Sequence, residues 1–192
     1  MESVYPDGYL ELAIGPMFSG KTSWILQKYD QHMYCGNKVM VINHSEDVRY
    51  DSTMLSTHDK KMIPCTQMCD FSDNSINEDI SEKIMHADVI LINEGQFFDN
   101  LFSFVLMLLE KKKIIYICGL DGDFKQKRFG ELLDLIPICD KVYKMRSLCS
   151  KCKNGTRAIF SHRVINNTEQ KLIGSDMYIP LCRKCYNDNN HL

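Results

Sequence analysis

From Ile14 to Thr22 the chain reads IGPMFSGKT, with Gly15, Gly20, Lys21 and Thr22 on every fixed position of G-x-x-x-x-G-K-[ST]. No other stretch restricts the fold as much. Such a loop needs a strand that runs into a tight glycine turn and a helix that leaves it. Only then do several backbone N–H groups converge on phosphate at the positive end of the helix. The flanks comply. Residues 9–14, YLELAI, alternate before the glycine, and Gly20 to about Cys35 carries Trp24, Ile25, Leu26 and Tyr29 before Gly36 stops the helix. In a loop of this kind Lys21 reaches the β- and γ-phosphates and the Thr22 hydroxyl is a ligand for Mg²⁺.

Further strands and helices alternate behind it. KVMVIN (38–43), ADVILIN (87–93), KIIYICG (113–119) and KVYKM (141–145) read as strands; DISEKIMH, FDNLFSFVLMLLEKK (98–112) and FGELLDLIP read as helices. Near-continuous apolar strands separated by helices predict an α/β fold whose parallel sheet is covered on both faces. Residues 44–75 are polar and turn-rich and yield no assignment. After about residue 147 the composition changes to CSKC, polar turns and CRKC, which predicts a nucleotide-binding unit over 1–147 and a small module over 148–192. With 44% hydrophobic and 25% charged residues the chain has the makeup of a folded protein, and a net charge of −2 weighs against a nucleic-acid partner. The longest apolar run, Phe104 to Leu109, is too short for a bilayer, and MESVYPDGYLE has neither the basic start nor the apolar stretch of a secretion signal. No membrane partner and a cytoplasmic location are expected.

Two other features carry chemistry. VILINEGQFF (89–98) ends an apolar strand with Asn93 and Glu94 at the sheet edge where ligands bind in open α/β folds. Mg²⁺ is usually held there by a carboxylate. Asn93 offers only a neutral oxygen, whereas Glu94 keeps its charge and can hold metal or accept a proton from an attacking hydroxyl or water. Of the nine cysteines, Cys149, Cys152, Cys182 and Cys185 form two matched CxxC pairs, which predicts a closed structural Zn²⁺ site that ties the base of the loop 153–181. Asp47 and Arg49 offer further groups for Mg²⁺ and phosphate. DGDFKQKRFG (121–130) suits base stacking or, equally, a solvated turn with two core phenylalanines. His58 and His162 read as surface or hydrogen-bonded histidines.

Taken together, GPMFSGKT, EDVRYDS, THDKK, EGQFF, GLDGDFKQKRFG, LIP, SLCSKC, IGSDMY and LCRKCY, in this order from about Tyr9 to Tyr186, resemble the zinc-containing thymidine kinases of the cellular and large-virus type. The resemblance implies a P-loop parallel sheet flanked by helices with a small C-terminal zinc-binding lasso. It implies ATP and thymidine as substrates, Glu94 as the base, and Mg²⁺ bound with ATP at Thr22 and Asp47. The triphosphate would lie against Gly15, Pro16, Met17, Phe18, Ser19, Gly20, Lys21, Thr22, Asp47, Val48, Arg49, Asn93, Gly95 and Gln96. Thymidine would be held by Leu120, Phe124 and Phe129 and by the lasso residues Ser161, Gln170, Lys171, Leu172, Ile173, Gly174 and Tyr178. A homotetramer inhibited by dTTP is also implied. This chain departs from the family at Asn93, where Asp is usual, and in FKQK, where FQRK is usual. Three rival readings differ in chemistry: a kinase of another nucleoside, a P-loop ATPase with a zinc ribbon acting on nucleic acid, and a nucleotide-binding regulator silenced by Asn93.

Overall fold

The computed structural model describes residues 5, 7–45, 54–56, 61–72, 75–172, 174 and 176–189. Its frame is one parallel sheet built from β1 (Tyr9–Ile14), β2 (Val39–His44), β5 (Thr66–Met68), β6 (Val89–Ile92), β7 (Ile114–Gly119) and β8 (Lys141–Lys144), in the order β5-β2-β6-β7-β1-β8. Registers such as Leu12 beside Ile117 and Val142 put β1 in the interior, between β7 and β8. Successive strand residues face opposite layers, and the sequence fills both. Leu10, Leu12, Ile42, Ile90, Ile92, Ile115 and Ile117 enter one core, while Ala13, Val41, Leu91, Tyr116 and Cys118 enter the other.

The helices show why each face is closed. α3 (Leu101–Glu110) buries Leu101, Phe104, Val105 and Leu108, the i, i+3, i+4, i+7 stripe of a helix lying on a sheet. α2 (Glu78–His86) caps itself: the Asn77 side chain accepts from Ile80 N–H at 2.9 Å, and Glu78 and Asp79 occupy its first turn. α1 (Lys21–Tyr34) does neither. It starts at Gly20 with φ 84°, has no side-chain cap and carries no acid in its first turn. Its positive end is left for something other than its own residues. α1 is fastened to β1 by Lys28, whose Nζ lies 3.1 Å from the buried Glu11 carboxylate and 4.6 Å from the Tyr116 ring centre.

Three segments differ from the sequence expectation. Within 44–75, β3 (Met54–Ser56) and β4 (Met62–Pro64) form an antiparallel ladder and β5 extends the sheet edge; runs of three residues are too short to show a period. The helix expected at FGELLDLIP is a 3₁₀ stretch, Leu132–Ile138, because Pro137 has no N–H for an α ladder. The stretch expected to be polar turns holds β9 (Ser147–Leu148), β10 (Arg157–Ala158), β11 (Phe160–Arg163), β12 (Tyr178–Leu181) and α4 (Arg183–Asn189). β9 pairs with β10 and β11 with β12, both antiparallel, over a small core of Cys149, Ala158, Leu181, Cys182 and Tyr186. The expected boundary between residues 147 and 148 falls inside β9.

Candidate active site

The phosphate loop leaves β1 at its C-terminal end and turns directly into α1. Gly15 and Pro16 are buried, Met17, Ser19 and Thr22 half-buried, and Phe18 and Gly20 exposed. Lys21 is buried, and its Nζ donates to the Pro16 carbonyl at 2.7 Å, which holds the ammonium over the loop. Thr22 follows in the first helical turn. Asp47, Val48, Arg49, His58 and Ile173 lie outside the described residues, as do all of EDVRYDS and all of THDKK except Lys61.

Glu94 and Asn93 leave β6, which is separated from β1 by β7, in different directions. The Asn93 side chain is fully buried; its Nδ2 donates to Asn43 Oδ1 at 2.9 Å and its Oδ1 accepts from the Cys118 thiol at 3.2 Å. Both ends of the amide are occupied inside the sheet edge. A carboxylate in its place would lose the donor that meets Asn43. Glu94 is half-buried and opens a 3₁₀ turn, Gly95–Phe97, from a left-handed conformation. Gly95 and Gln96 are buried in that turn.

A cavity of about 590 Å³, partly open to solvent, lies between this edge and the C-terminal ladders. Met17 and Glu94 line it, together with Leu120, Phe124, Phe129, Ser161, Gln170, Leu172, Gly174 and Tyr178. Lys171 stands at its side, with Nζ 5.3 Å from the Phe97 ring centre. One bond closes the geometry: the buried Ser161 on β11 accepts from the Met17 backbone N–H at 2.9 Å, so the lasso strand rests on the phosphate loop itself.

Four cavity or support residues are absent from the sequence expectation. Phe97 and Gly122 line the cavity inside motifs that were otherwise recognised. Asp123 is buried; its Oδ1 accepts from the N–H groups of Lys125 and Lys127, and its Oδ2 accepts from Gln170 Nε2 at 2.8 Å. The DGD triplet signals such a side-chain-to-backbone turn. Arg163 is 5% exposed and spreads its guanidinium over the carbonyls of Asn167, Glu169 and Gln170 and the Tyr178 hydroxyl. Its flat face lies 3.7 Å from the Phe124 ring centre. A lone arginine has no such signature in sequence. Only the two-residue period of β11 would place it on the Ser161 side.

At the base of the lasso the ligating atoms of Cys149, Cys152, Cys182 and Cys185 all lie within 4.8 Å of one another. Cys152 Sγ is 3.8 Å from Cys182 Sγ and 3.5 Å from Cys185 Sγ. Four sulfurs each about 2.3 Å from one tetrahedral ion stand about 3.8 Å apart, whereas a disulfide needs about 2.05 Å. The protonation pattern also fits a cation. Burial pushes the Cys149 thiol up, but the N–H groups of Cys152, Cys182 and Lys151 outweigh it and bring it to about 6. Cys185, bonded to Cys152 and desolvated, is pushed up to about 12. A metal ion binds the thiolate form and would draw these thiols down. The quartet can therefore bind a metal such as zinc. Its chain neighbours reach the cavity: β12 runs into Cys182 and pairs with β11, and α4 presents Tyr186, whose hydroxyl donates to the Phe124 carbonyl at 2.6 Å.

The comparisons with known proteins agree with this geometry. The thymidine kinase family profile matches residues 8–186. The chain is 38% identical over 186 residues to the thymidine kinase of vaccinia virus (strain Western Reserve), covering 95% of this chain and 98% of that one. It is 35% identical over 192 residues to thymidine kinase 1 of Dictyostelium discoideum, covering 96% and 80%. With the thymidine kinase of Oryza sativa subsp. japonica it shares 37% over 189 residues, 96% of this chain and 68% of the other. Among solved structures, domain III of the Thermotoga maritima replication initiation protein DnaA aligns at a TM-score of 0.44 and 18% identity, over 74% of this chain and 57% of that one, too slight a likeness to argue from. A phosphate loop joined by a hydrogen bond to a cysteine-stapled lasso, with a family match that spans both, makes the chain a member of the thymidine kinase family.

Proposed function

We propose that the protein transfers the γ-phosphoryl group of ATP to the 5′-hydroxyl of thymidine, giving thymidine 5′-monophosphate and ADP. The observation that carries this reading is the Met17–Ser161 hydrogen bond, which joins the phosphate loop to the lasso beside one cavity with Glu94 in its wall. Phosphoryl transfer asks for an aligned acceptor, neutralised phosphate charge and little water. Lys21 and the uncapped N-terminus of α1 bind and orient the triphosphate. Glu94 takes the proton of the attacking hydroxyl. Leu120, Phe97, Phe124, Phe129 and Tyr178 present apolar surface to the nucleobase. The backbone of the lasso, Gln170 to Gly174, offers main-chain partners for the pyrimidine edge.

Mg²⁺ bound with ATP would be held by the Thr22 hydroxyl and, as the resemblance implies, by Asp47, and would supply charge neutralisation on the phosphates. Zn²⁺ is the ion proposed for the cysteine quartet, in a structural role with no open coordination position. A homotetramer, inhibition by dTTP and a cytoplasmic location extend the reading on the strength of the resemblance; light scattering and a dTTP titration test the first two. Among the described residues no helix is long and apolar enough to cross a membrane.

The test is thymidine phosphorylation by purified protein with ATP and Mg²⁺, wild type beside Glu94→Ala. Loss of a general base predicts a fall of about a hundredfold or more. Equal rates would remove Glu94 from the role. ATP hydrolysis stimulated by DNA or RNA, with no transfer to thymidine, would move the assignment to the nucleic-acid ATPase.

A further inference from the structure

Glu94 holds a left-handed backbone, φ 54° and ψ 46°, a conformation that a side chain other than glycine adopts only when its surroundings impose it. Its carboxylate is held by Gln96. The Gln96 side chain is 2% exposed; Nε2 donates to Glu94 Oε2 at 2.8 Å and Oε1 accepts from the Leu120 backbone N–H at 2.8 Å. The amide can face only one way, since a carboxylate accepts and a backbone N–H donates; reversing it would set like against like at both ends. Two other segments leave room for this residue. A Cβ on Gly119 would fall inside van der Waals contact of Gln96 Oε1, and one on Gly130 inside contact of the Gln96 carbonyl. Gln96 is thus clamped from β7 and from the loop beyond it, with its one free donor arm aimed at the carboxylate.

We propose that Gln96 is a positioning residue for phosphoryl transfer: it fixes the Glu94 carboxylate in the orientation that receives the hydroxyl proton, and it registers that carboxylate against Leu120 in the nucleobase wall. This adds to the phosphate contact implied for Gln96 by family resemblance, since both ends of the amide are engaged by Glu94 and Leu120. The inference rests on the kinase reading above.

A double-mutant cycle tests it. Gln96→Met keeps the length and removes both polar ends; Gln96→Glu keeps the oxygen that serves Leu120 and turns the donor into a second carboxylate oxygen facing Glu94. Both variants are checked for an unchanged thermal transition, and Gln96→Glu, which keeps the Leu120 bond, carries the test if Gln96→Met does not fold. Misplacing a reacting group is worth up to about a hundredfold. Each variant is therefore expected to lose about ten- to a hundredfold in kcat, with KM for thymidine and for ATP within about threefold. In a Glu94→Ala background the same substitutions are expected to lose nothing further. An equal loss with and without Glu94, a change confined to KM, or a wild-type kcat for Gln96→Glu overturns the proposal. Failure of the kinase reading looks different, since the unsubstituted protein would then leave thymidine unphosphorylated.

Discussion

Arg163 is a buried charge whose described contacts on the lasso are neutral. Its guanidinium is satisfied by three lasso carbonyls, the Tyr178 hydroxyl and the Phe124 ring, and the Tyr178 hydroxyl in turn donates to the Leu172 carbonyl at 3.0 Å. These contacts shape the lasso tip and press Phe124 into the cavity wall, while none touches Glu94 or the phosphate loop. Arg163→Met should therefore act on binding. Thymidine KM is expected to rise by about tenfold or more, equivalent to about 1.4 kcal/mol, with kcat within a few-fold. Arg163→Lys should not restore it, because an ammonium can neither fork across several carbonyls nor stack on a ring. Steady-state kinetics against thymidine check both; a loss in kcat at constant KM would move Arg163 into the chemical step.

At the scale of elements, the ladders β9–β10 and β11–β12 are too short to stand alone, since isolated two-stranded pieces are marginal in water. The cysteine quartet joins the end of β9 to the end of β12, and β11 carries Ser161 to the phosphate loop. Removing the ion should loosen the lasso before it unfolds the parallel sheet. Metal analysis is expected to find one zinc per chain. Cys152→Ser is expected to lose it and to raise thymidine KM by at least about tenfold, with ATP binding to the phosphate loop retained. Unchanged kinetics in a zinc-free protein would detach the metal from substrate binding. The same elements mark what the sequence could tell. β1, α1, β2, β6, α3 and β7 were legible because 4–14 residues with a clear period and glycine punctuation leave little choice. The phosphate loop and the CxxC pairs were legible because their chemistry fixes local spacing. The two- and three-residue strands β3, β4, β9 and β10 carry no period, and Arg163, Asp123 and Phe97 owe their places to contacts between segments far apart in the chain.

Over the whole molecule, two histidines join its parts and both titrate low. His32 on α1 accepts from Asn37 Nδ2 at its Nδ1, 2.8 Å away, and so donates from Nε2 to Tyr116 Oη at 3.0 Å on the sheet. Burial first and then Lys28 hold it below its ordinary value of 6.5. His162 on β11, packed edge-on against Tyr186, is held below 6.5 by burial and then by Lys151. A base whose folded pKa is depressed binds fewer protons folded than unfolded. The stability tied to its neutral form is complete above 6.5, is lost as pH falls below it, and levels off beneath the depressed value. Melting temperatures between pH 7.5 and 5.5 should fall less steeply for His32→Gln than for the wild type. The difference between the two proteins carries the prediction, since protonation of the cysteine thiols acts on both. Identical slopes would mean that His32 titrates normally.

The placement of β1 also bears on how the chain is made. Residues 9–14 pair with residues 114–119 and 141–144, both far downstream in the chain. Until those segments are made this apolar strand, with the phosphate loop behind it, has no edge to join, and long-range pairing of this kind is slow and prone to aggregation. The strand that leads into the phosphate loop is therefore made well before either neighbour that secures it, and must be kept from sticking in between.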